Sequence, residues 1–209
     1  DEWGVKYSKD GRKLLKAPQG LKGKYSVKVG TRIISAHAFW NCSFLSNIVI
    51  PNSVANIGDG AFRGCCFLNK VVIPDSVISI RIDAFHDCRS LSSVVIPDSV
   101  TSIGISSFEG CSSLVSVVIP NSVTSIGISS FEGCSSLVSV IIPDSVTSIG
   151  ACAFQNCSSL SNIVFPDSVT SIGEGAFANC NIPYYLKQEL ISRFGDELFR
   201  LSLPIILTI

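Results

Sequence analysis

The segment Leu137–Cys157 decides the fold, and it reads LVSVIIPDSVTSIGACAFQNC. Its first half places Val140 and Ile142 in an alternating, β-branched run after Leu137, which predicts a short strand. Pro143 cannot donate to a strand ladder, so the strand should end there. The following Asp144-Ser145 pair is typical of a turn, because both side chains can bond nearby backbone N–H groups.

The second half of the segment predicts the return of the chain along the opposite side. Val146 and Ile149 form a second apolar pair, which favours another short strand or extended segment. Gly150 supplies a bend, since glycine tolerates positive φ. Phe154 should then point inward from a tight or 3₁₀-like turn, and Cys157 leads the chain back towards the next strand.

Each of these positions recurs every 23 residues, without insertion, which is the signature of a repeat architecture. The proline, phenylalanine and cysteine columns are Pro51, Pro74, Pro97, Pro120, Pro143 and Pro166; Phe39, Phe62, Phe85, Phe108, Phe131, Phe154 and Phe177; and Cys42, Cys65, Cys88, Cys111, Cys134, Cys157 and Cys180. One unit cannot enclose a core, but stacked units can. We therefore expect a solenoid with a parallel sheet of roughly 4.8 Å strand spacing. The bulk of phenylalanine should widen the far side, so that the sheet lies on the inner, concave surface.

The chain divides into a single domain with two caps. Residues 1–26 should form the N-terminal cap, 27–180 about seven repeats of which the first is partial, and 181–209 a helical cap with an apolar tail. A helix should start near Pro183 and stop at Gly195. The tail, LSLPIILTI, should pack on the cap or pair with another chain.

Charge and hydropathy exclude several functions. The 16 Lys+Arg balance the 16 Asp+Glu, so no global charge attracts nucleic acid or an anionic membrane. Residues 1–32 hold nine Lys/Arg against three Asp/Glu, which is typical of a solvated basic terminus. No apolar run approaches the roughly 20 residues of a membrane span, so a chain that does not cross the membrane is predicted.

The stretch Ile142–Leu160 resembles the BspA-like leucine-rich repeat, whose hallmark is IPxSVTSIGxxAFxxCSSL. The likeness covers residues 27–180. It implies a leucine-rich-repeat right-handed solenoid of the α/β horseshoe class, with the parallel sheet on the concave face and short strands and 3₁₀-like turns on the convex side. It also implies an extracellular or cell-surface protein of a bacterium or protist, used for adhesion to host matrix or cells. The main departure is Arg81-Ile82-Asp83, which replaces the glycine-led triplet and should leave the fold intact.

The cysteines allow three interpretations. There are nine, an odd number, and seven follow the 23-residue step. Stacked near 5 Å, they satisfy a disulfide in Cα distance alone, and a metal site is a further alternative. A buried column of free thiols is favoured, because free cysteine is among the most buried residue types. No C-x-x-C pair supports zinc.

Other candidate chemistry is sparse. The only histidines, His37 and His86, sit at different points of the unit and are interpreted as isolated surface residues. The sequence has no G-x-S-x-G, H-E-x-x-H or phosphate-loop motif, so we expect no enzyme, no metal and no cofactor. An acidic column follows the prolines at Asp75, Asp98, Asp144 and Asp167, interrupted by Asn52 and Asn121. It suits turn stabilisation better than a calcium site.

The sheet face that points away from the core is the best candidate site. We expect a protein-binding surface made of one polar and one aliphatic column, namely Lys70, Val72, Ser93, Val95, Ser116, Val118, Ser139 and Ile141. Exposed aliphatic patches mark interaction sites, although β-branched residues also favour strands for their own sake. The expected partner is a protein or a host extracellular-matrix ligand, not nucleic acid, with a monomer favoured. A structural spacer or self-association scaffold is the alternative, and an enzyme the least favoured.

Overall fold

A computed structural model describes residues 1–201, so the predicted roles of the remaining tail, 202–209, lie outside the described residues. The described chain is a solenoid of short strands closed by one helix. Its elements are β1 (Lys6–Tyr7), β2 (Lys13–Lys16), β3 (Gly23–Ser26), β4 (Ile33–Ile34), β5 (Leu45–Val49), β6 (Asn56–Ile57), β7 (Lys70–Val72), β8 (Ser93–Val95), β9 (Ser102–Ile103), β10 (Ser116–Val118), β11 (Ser125–Ile126), β12 (Ser139–Ile141), β13 (Ser148–Ile149), β14 (Asn162–Val164), β15 (Ser171–Ile172), α1 (Tyr184–Phe194) and a 3₁₀ turn (Glu197–Phe199).

The main sheet has seven parallel strands in the order β3-β5-β7-β8-β10-β12-β14, which confirms the predicted parallel sheet. Ser116 pairs with Ser93 on one side and Ser139 on the other, so adjacent repeats are in register. Alternation along a strand buries Val117 and exposes Val118. The register therefore turns every sequence column into a straight column across the sheet.

A second line of short parallel strands runs along the flank, in two parts. One part contains β9, β11, β13 and β15, and the other contains β2, β4 and β6 with the antiparallel β1. A single bridge, Ile80 to Ile103, stands near the break. The break coincides with Arg81, where the neighbouring repeats have glycine. A Cβ at Gly104 would lie 2.7 Å from the Ile80 carbonyl oxygen, so a side chain in this column forces adjacent backbones apart.

The core is organised by stacked phenylalanine rings. Adjacent rings of the column lie nearly parallel, with centroids 5.1 to 5.4 Å apart from Phe39 to Phe177. This step exceeds the roughly 4.8 Å between strands. The phenylalanine side of the stack is therefore longer than the strand side, which places the main sheet on the concave face.

The convex side is built from tight turns closed between residues three apart, such as Gly104 to Ser107. Each repeat also holds left-handed residues there, for example Ser106 at φ 51°. Alternate N–H groups then point to the following repeat: Phe108 N donates to Ser130 O at 2.8 Å, as its neighbours do along the stack. We call this set of inter-repeat bonds the convex ladder. It has a direction, because N–H groups face the C-terminal end and carbonyls the N-terminal end.

The cysteine column lies inside this convex layer as free thiols, as predicted. Cys42 donates to the Pro18 carbonyl at 3.4 Å, and each later thiol of the column donates to the carbonyl of the phenylalanine one repeat earlier. Cys65 Sγ lies 3.1 Å from Phe39 O, and Cys111 Sγ lies 3.2 Å from Phe85 O. Burial raises the pKa of the Cys111 thiol well above its usual value. The column therefore bonds the repeats together as neutral thiols.

The N-terminal end is closed by the β1–β2 hairpin, whose own Leu14 is completely buried. Tyr7 and Tyr25 share a hydrogen bond of 2.7 Å between their hydroxyl oxygens, and Tyr25 donates to the Asp1 carboxylate at 2.7 Å. β3, which falls within the predicted cap 1–26, already belongs to the main sheet. The cap thus merges into the repeats through its last strand.

The C-terminal end is closed by α1, which begins after Pro183 and ends at Gly195, as the sequence predicts. Its Leu186 and Leu190 are buried against the last repeat. The 3₁₀ turn that follows then takes the position of an eighth repeat. Its Leu198 carbonyl accepts the Phe177 N–H at 2.8 Å, so the convex ladder does not end with an unpaired donor there.

Candidate functional site

The structure brings all eight predicted site residues to one face of the main sheet. The polar column joins Lys70, Ser93, Ser116 and Ser139 across neighbouring strands, and the aliphatic column joins Val72, Val95, Val118 and Ile141 in the same way. Every one of the eight side chains is partly or fully accessible to solvent. The predicted geometry of two adjacent columns is therefore present.

The aliphatic column is more exposed than such side chains are in a protein core. Val95, Val118 and Ile141 keep 53%, 75% and 66% of their surface in water. Val49 and Val164, one repeat beyond each end of the predicted set, extend the column to six members. Water that surrounds such an apolar surface loses entropy. A ligand that covers the surface releases this water, and the entropy gained favours binding.

A groove of about 700 Å³ follows the column over its C-terminal half. Val118 and Ile141 form its floor, and Asp98 and Asp144 stand near its rim. The volume lies within the range of ligand-binding clefts, about 300 to 1,000 Å³. The groove is open to solvent rather than enclosed.

The charges on this face are few and separated. Lys70 is joined by Lys24, which β3 brings into the same column with Asn47 between them. The acidic column lies exposed at the opposite end of the strands, and among the described residues its only ion pair joins Asp167 to Arg193 at 3.9 Å. Within residues 1–201 no cluster of three or more His, Cys, Asp or Glu side chains could hold a metal ion.

The turn after each strand is held differently from the prediction. Serine hydroxyls, not the aspartate side chains, make the bonds: Ser122 Oγ donates to Val100 O at 2.6 Å, and Ser145 Oγ to Val123 O at 2.7 Å. Each of these bonds also crosses to the preceding repeat. Asp144, which precedes Ser145, is left exposed to solvent, so its charge is available on the rim of the groove.

Sequence reasoning missed an aromatic pair beside the main sheet. Phe44 and Phe67 precede β5 and β7, are 60% and 58% exposed, and stack with centroids 6.3 Å apart. Only two repeats carry phenylalanine at this position, so the pair does not form a column. Its signal in the sequence was an apolar residue where later repeats have serine.

The interpretation of His86 as an isolated surface residue is wrong. Its side chain is only 14% exposed and lies among three carboxylates on the convex side. The Asp83 carboxylate, 3.6 Å from Nδ1, raises the pKa of His86 above its usual value. Arg63 and Arg89 compensate Asp83 and Asp87. The cluster also joins neighbouring repeats, because Arg63 and Glu109 come from the repeats on either side of His86.

Stacked 23-residue units with a buried phenylalanine column and an exposed parallel sheet define a leucine-rich-repeat solenoid. The family model described as the BspA type leucine rich repeat region, in six copies, matches residues 32–140 and 78–205. The chain belongs to this family. BspA-like leucine-rich-repeat proteins are protein-binding modules, and the family points to a non-catalytic repeat protein.

Solved structures agree with this assignment. A leucine-rich repeat protein of Treponema pallidum is 32% identical, with a TM-score of 0.82 over 91% of this chain and 92% of that chain. One from Eubacterium ventriosum is 29% identical, with a TM-score of 0.77, and the present chain spans 49% of it. A leucine rich cell surface protein of Faecalibacterium prausnitzii is 26% identical, with a TM-score of 0.58 over 86% and 63% of the two chains. No curated protein matches the chain. The helix found in residues 1–201 is too short to cross a bilayer.

Proposed function

We propose that this chain binds a protein ligand through the concave face of its main sheet. The observation that carries the proposal is the continuous aliphatic column centred on Val95, Val118 and Ile141, which lies in register and in water. A soluble protein rarely leaves such a surface uncovered unless it binds something. Concave sheet faces are also where repeat proteins commonly place their ligands.

The chemistry of the face suits an extended polypeptide segment. The aliphatic column would supply the desolvated centre, and the neighbouring serines, such as Ser93 and Ser116, would donate and accept hydrogen bonds at its side. Lys70 adds a cation at the N-terminal end, while Asp98 and Asp144 add anions on the rim. A ligand with both apolar and charged side chains would match this pattern.

The proposed location is extracellular or at the cell surface, with adhesion to host matrix or host cells as the biological role. The support is the family, together with the similarity to a leucine rich cell surface protein of Faecalibacterium prausnitzii. In such a role the repeats would serve as a recognition surface held between two caps.

The test is solid-phase binding to a panel of matrix proteins and epithelial cells. The variant V95D/V118D places two charges in the centre of the column, and we expect it to weaken saturable binding at least tenfold. The matched control is V115D/V138D, because Val115 and Val138 are comparably exposed valines just before the strands of the face. We expect the control to bind like the parent chain.

Equal losses in both variants would contradict the placement of the site. Absence of binding to the whole panel would contradict an adhesive role and favour the structural spacer. A mass that rises with concentration in light scattering, and that V95D/V118D abolishes, would show that the face binds a second copy of the chain instead.

A further inference from the structure

A second concave feature lies at the N-terminal end of the convex side, away from the aliphatic column. Lys16, His37, Trp40 and Arg63 line a shallow cavity of about 460 Å³. This volume is within the range of small-ligand sites, about 300 to 1,000 Å³. The cap supplies the lysine, while the first two repeats supply the other three side chains.

Lys16 at this cavity and its neighbour Lys6 lack anionic partners among residues 1–201, whereas Arg63 is paired with Asp83. Lys16 lies opposite Lys6 across the β1–β2 ladder, and like charges in that arrangement repel. Among the described residues, neither lysine has a carboxylate within ion-pair distance. The nearby carboxylates are already paired, Asp83 with Arg63 and Asp59 with Arg81. An external anion would relieve this repulsion.

Lys16 is nevertheless held in place. Its Nζ donates to the His37 carbonyl at 2.9 Å and lies 5.6 Å from the centroid of the Trp40 ring. The carbonyl bond uses one of the three N–H groups of the ammonium, so two remain for a ligand. The indole stays 41% exposed beside this cation.

We propose that the cavity binds an anionic saccharide. A carboxylate or sulfate group would accept charge-assisted hydrogen bonds from Lys16 and Arg63, and the apolar face of the sugar ring would pack on the indole of Trp40. Single-stranded nucleic acid fits less well, because its binding sites stack successive bases on several aromatic side chains and this cavity has one. The inference is independent of the proposed protein ligand, which occupies the other side of the solenoid.

The experiment measures affinity for four probes at low salt: heparin, hyaluronan, neutral dextran and single-stranded oligothymidine. We expect the parent chain to bind heparin or hyaluronan and to ignore dextran; the difference between the two polyanions distinguishes sulfate from carboxylate recognition. K6Q/K16Q should weaken binding about tenfold or more, since it removes the charge-assisted contact of Lys16 and the neighbouring positive charge of Lys6. W40A should weaken it by a similar factor, and W40F should retain most of the affinity.

The charge-matched control is K24Q/K70Q, which removes two exposed lysines from the concave face and should change the affinity less than about twofold. Unchanged thermal unfolding midpoints would show that the variants are folded. Equal losses in K6Q/K16Q and K24Q/K70Q would overturn the site in favour of diffuse attraction. Absence of binding to both polyanions, or tighter binding of oligothymidine that depends on Trp40, would also overturn the proposal.

Discussion

The phenylalanine column and the concave aliphatic column share the same 23-residue period but occupy opposite environments. Phe108 and Phe131 are completely buried and stack at 5.3 Å. Val95 and Val118 recur just as regularly, yet stand mostly in water. Repetition by itself therefore does not identify a core position. A column that the fold does not need for packing is the one available for binding.

The strongest test of this difference is to truncate one side chain in each column and to compare the losses of stability. F108A should lower the free energy of unfolding by about 4 kcal/mol, since it removes buried atoms and leaves a cavity between two rings. V118A should cost less than about 1 kcal/mol, because its side chain is largely solvated. Denaturant unfolding measures both values. Comparable losses would mean that the exposed column also supports the fold.

The buried thiols should make the stability of the folded chain depend on pH. Burial raises the pKa of Cys88 and Cys111 in the folded state, whereas an unfolded thiol titrates near 8.5. The unfolded chain therefore loses these protons first, so stability is full below about pH 8.5 and falls as the pH rises towards the folded pKa. Above that pH, each buried thiol should lower the free energy of unfolding by about 1.4 kcal/mol per pH unit.

The measurement for this prediction is denaturant unfolding between pH 8 and pH 10 under reducing conditions. The control is C111A, which should reduce the slope by one thiol's share while lowering stability at pH 7. An identical slope in the parent chain and in C111A would contradict the neutral-thiol column.

Two serines that sit within the same repeats should respond with opposite signs. Ser130 is fully buried and its hydroxyl has no hydrogen-bond partner in the described structure, while most other repeats have alanine at this position. S130A should therefore raise the free energy of unfolding by about 1 kcal/mol. S122A removes the 2.6 Å bond to the Val100 carbonyl and should lower it by about 1 kcal/mol. Two changes of equal sign in urea unfolding would refute this assignment.

The effect expected on the concave face is small for a double substitution. V95D/V118D should change stability by no more than about 1 to 2 kcal/mol, because only strand propensity is lost at solvated positions. Its thermal unfolding should remain a single cooperative transition. Loss of the cooperative transition would show that the concave face contributes to the core. The V95D/V118D variant could then not be used to test binding.

The period of 23 predicted most of the fold. Phe108 and Pro120 marked the repeat, and Pro183 and Gly195 marked the capping helix, because these residues act through local geometry or stacking. The left-handed Ser106 could not be predicted, since serine carries no such preference and the inter-repeat bonds impose the conformation. The thiol bond from Cys111 to a carbonyl 26 residues earlier was equally hidden.

The two candidate sites also differ in how far the sequence predicts them. The concave face was predictable because strand alternation and a fixed register place Val95 beside Val118. The cavity at Trp40 was not, because Lys16, Trp40 and Arg63 come from the cap and from two successive repeats. The positions of a column can be predicted from the repeat period. A site that combines residues from dissimilar segments can be recognised only once the fold is known.

The direction of the convex ladder sets how such a chain can change in length. Each repeat offers the same donors to the next and the same acceptors to the previous one, as between Phe108 and Ser130. A copied or deleted unit therefore meets a compatible neighbour at both ends, whereas the two caps cannot exchange places. Each added unit would lengthen the exposed aliphatic column by one residue and roughly 4.8 Å. The number of repeats therefore sets the length of the ligand segment that the concave face can contact.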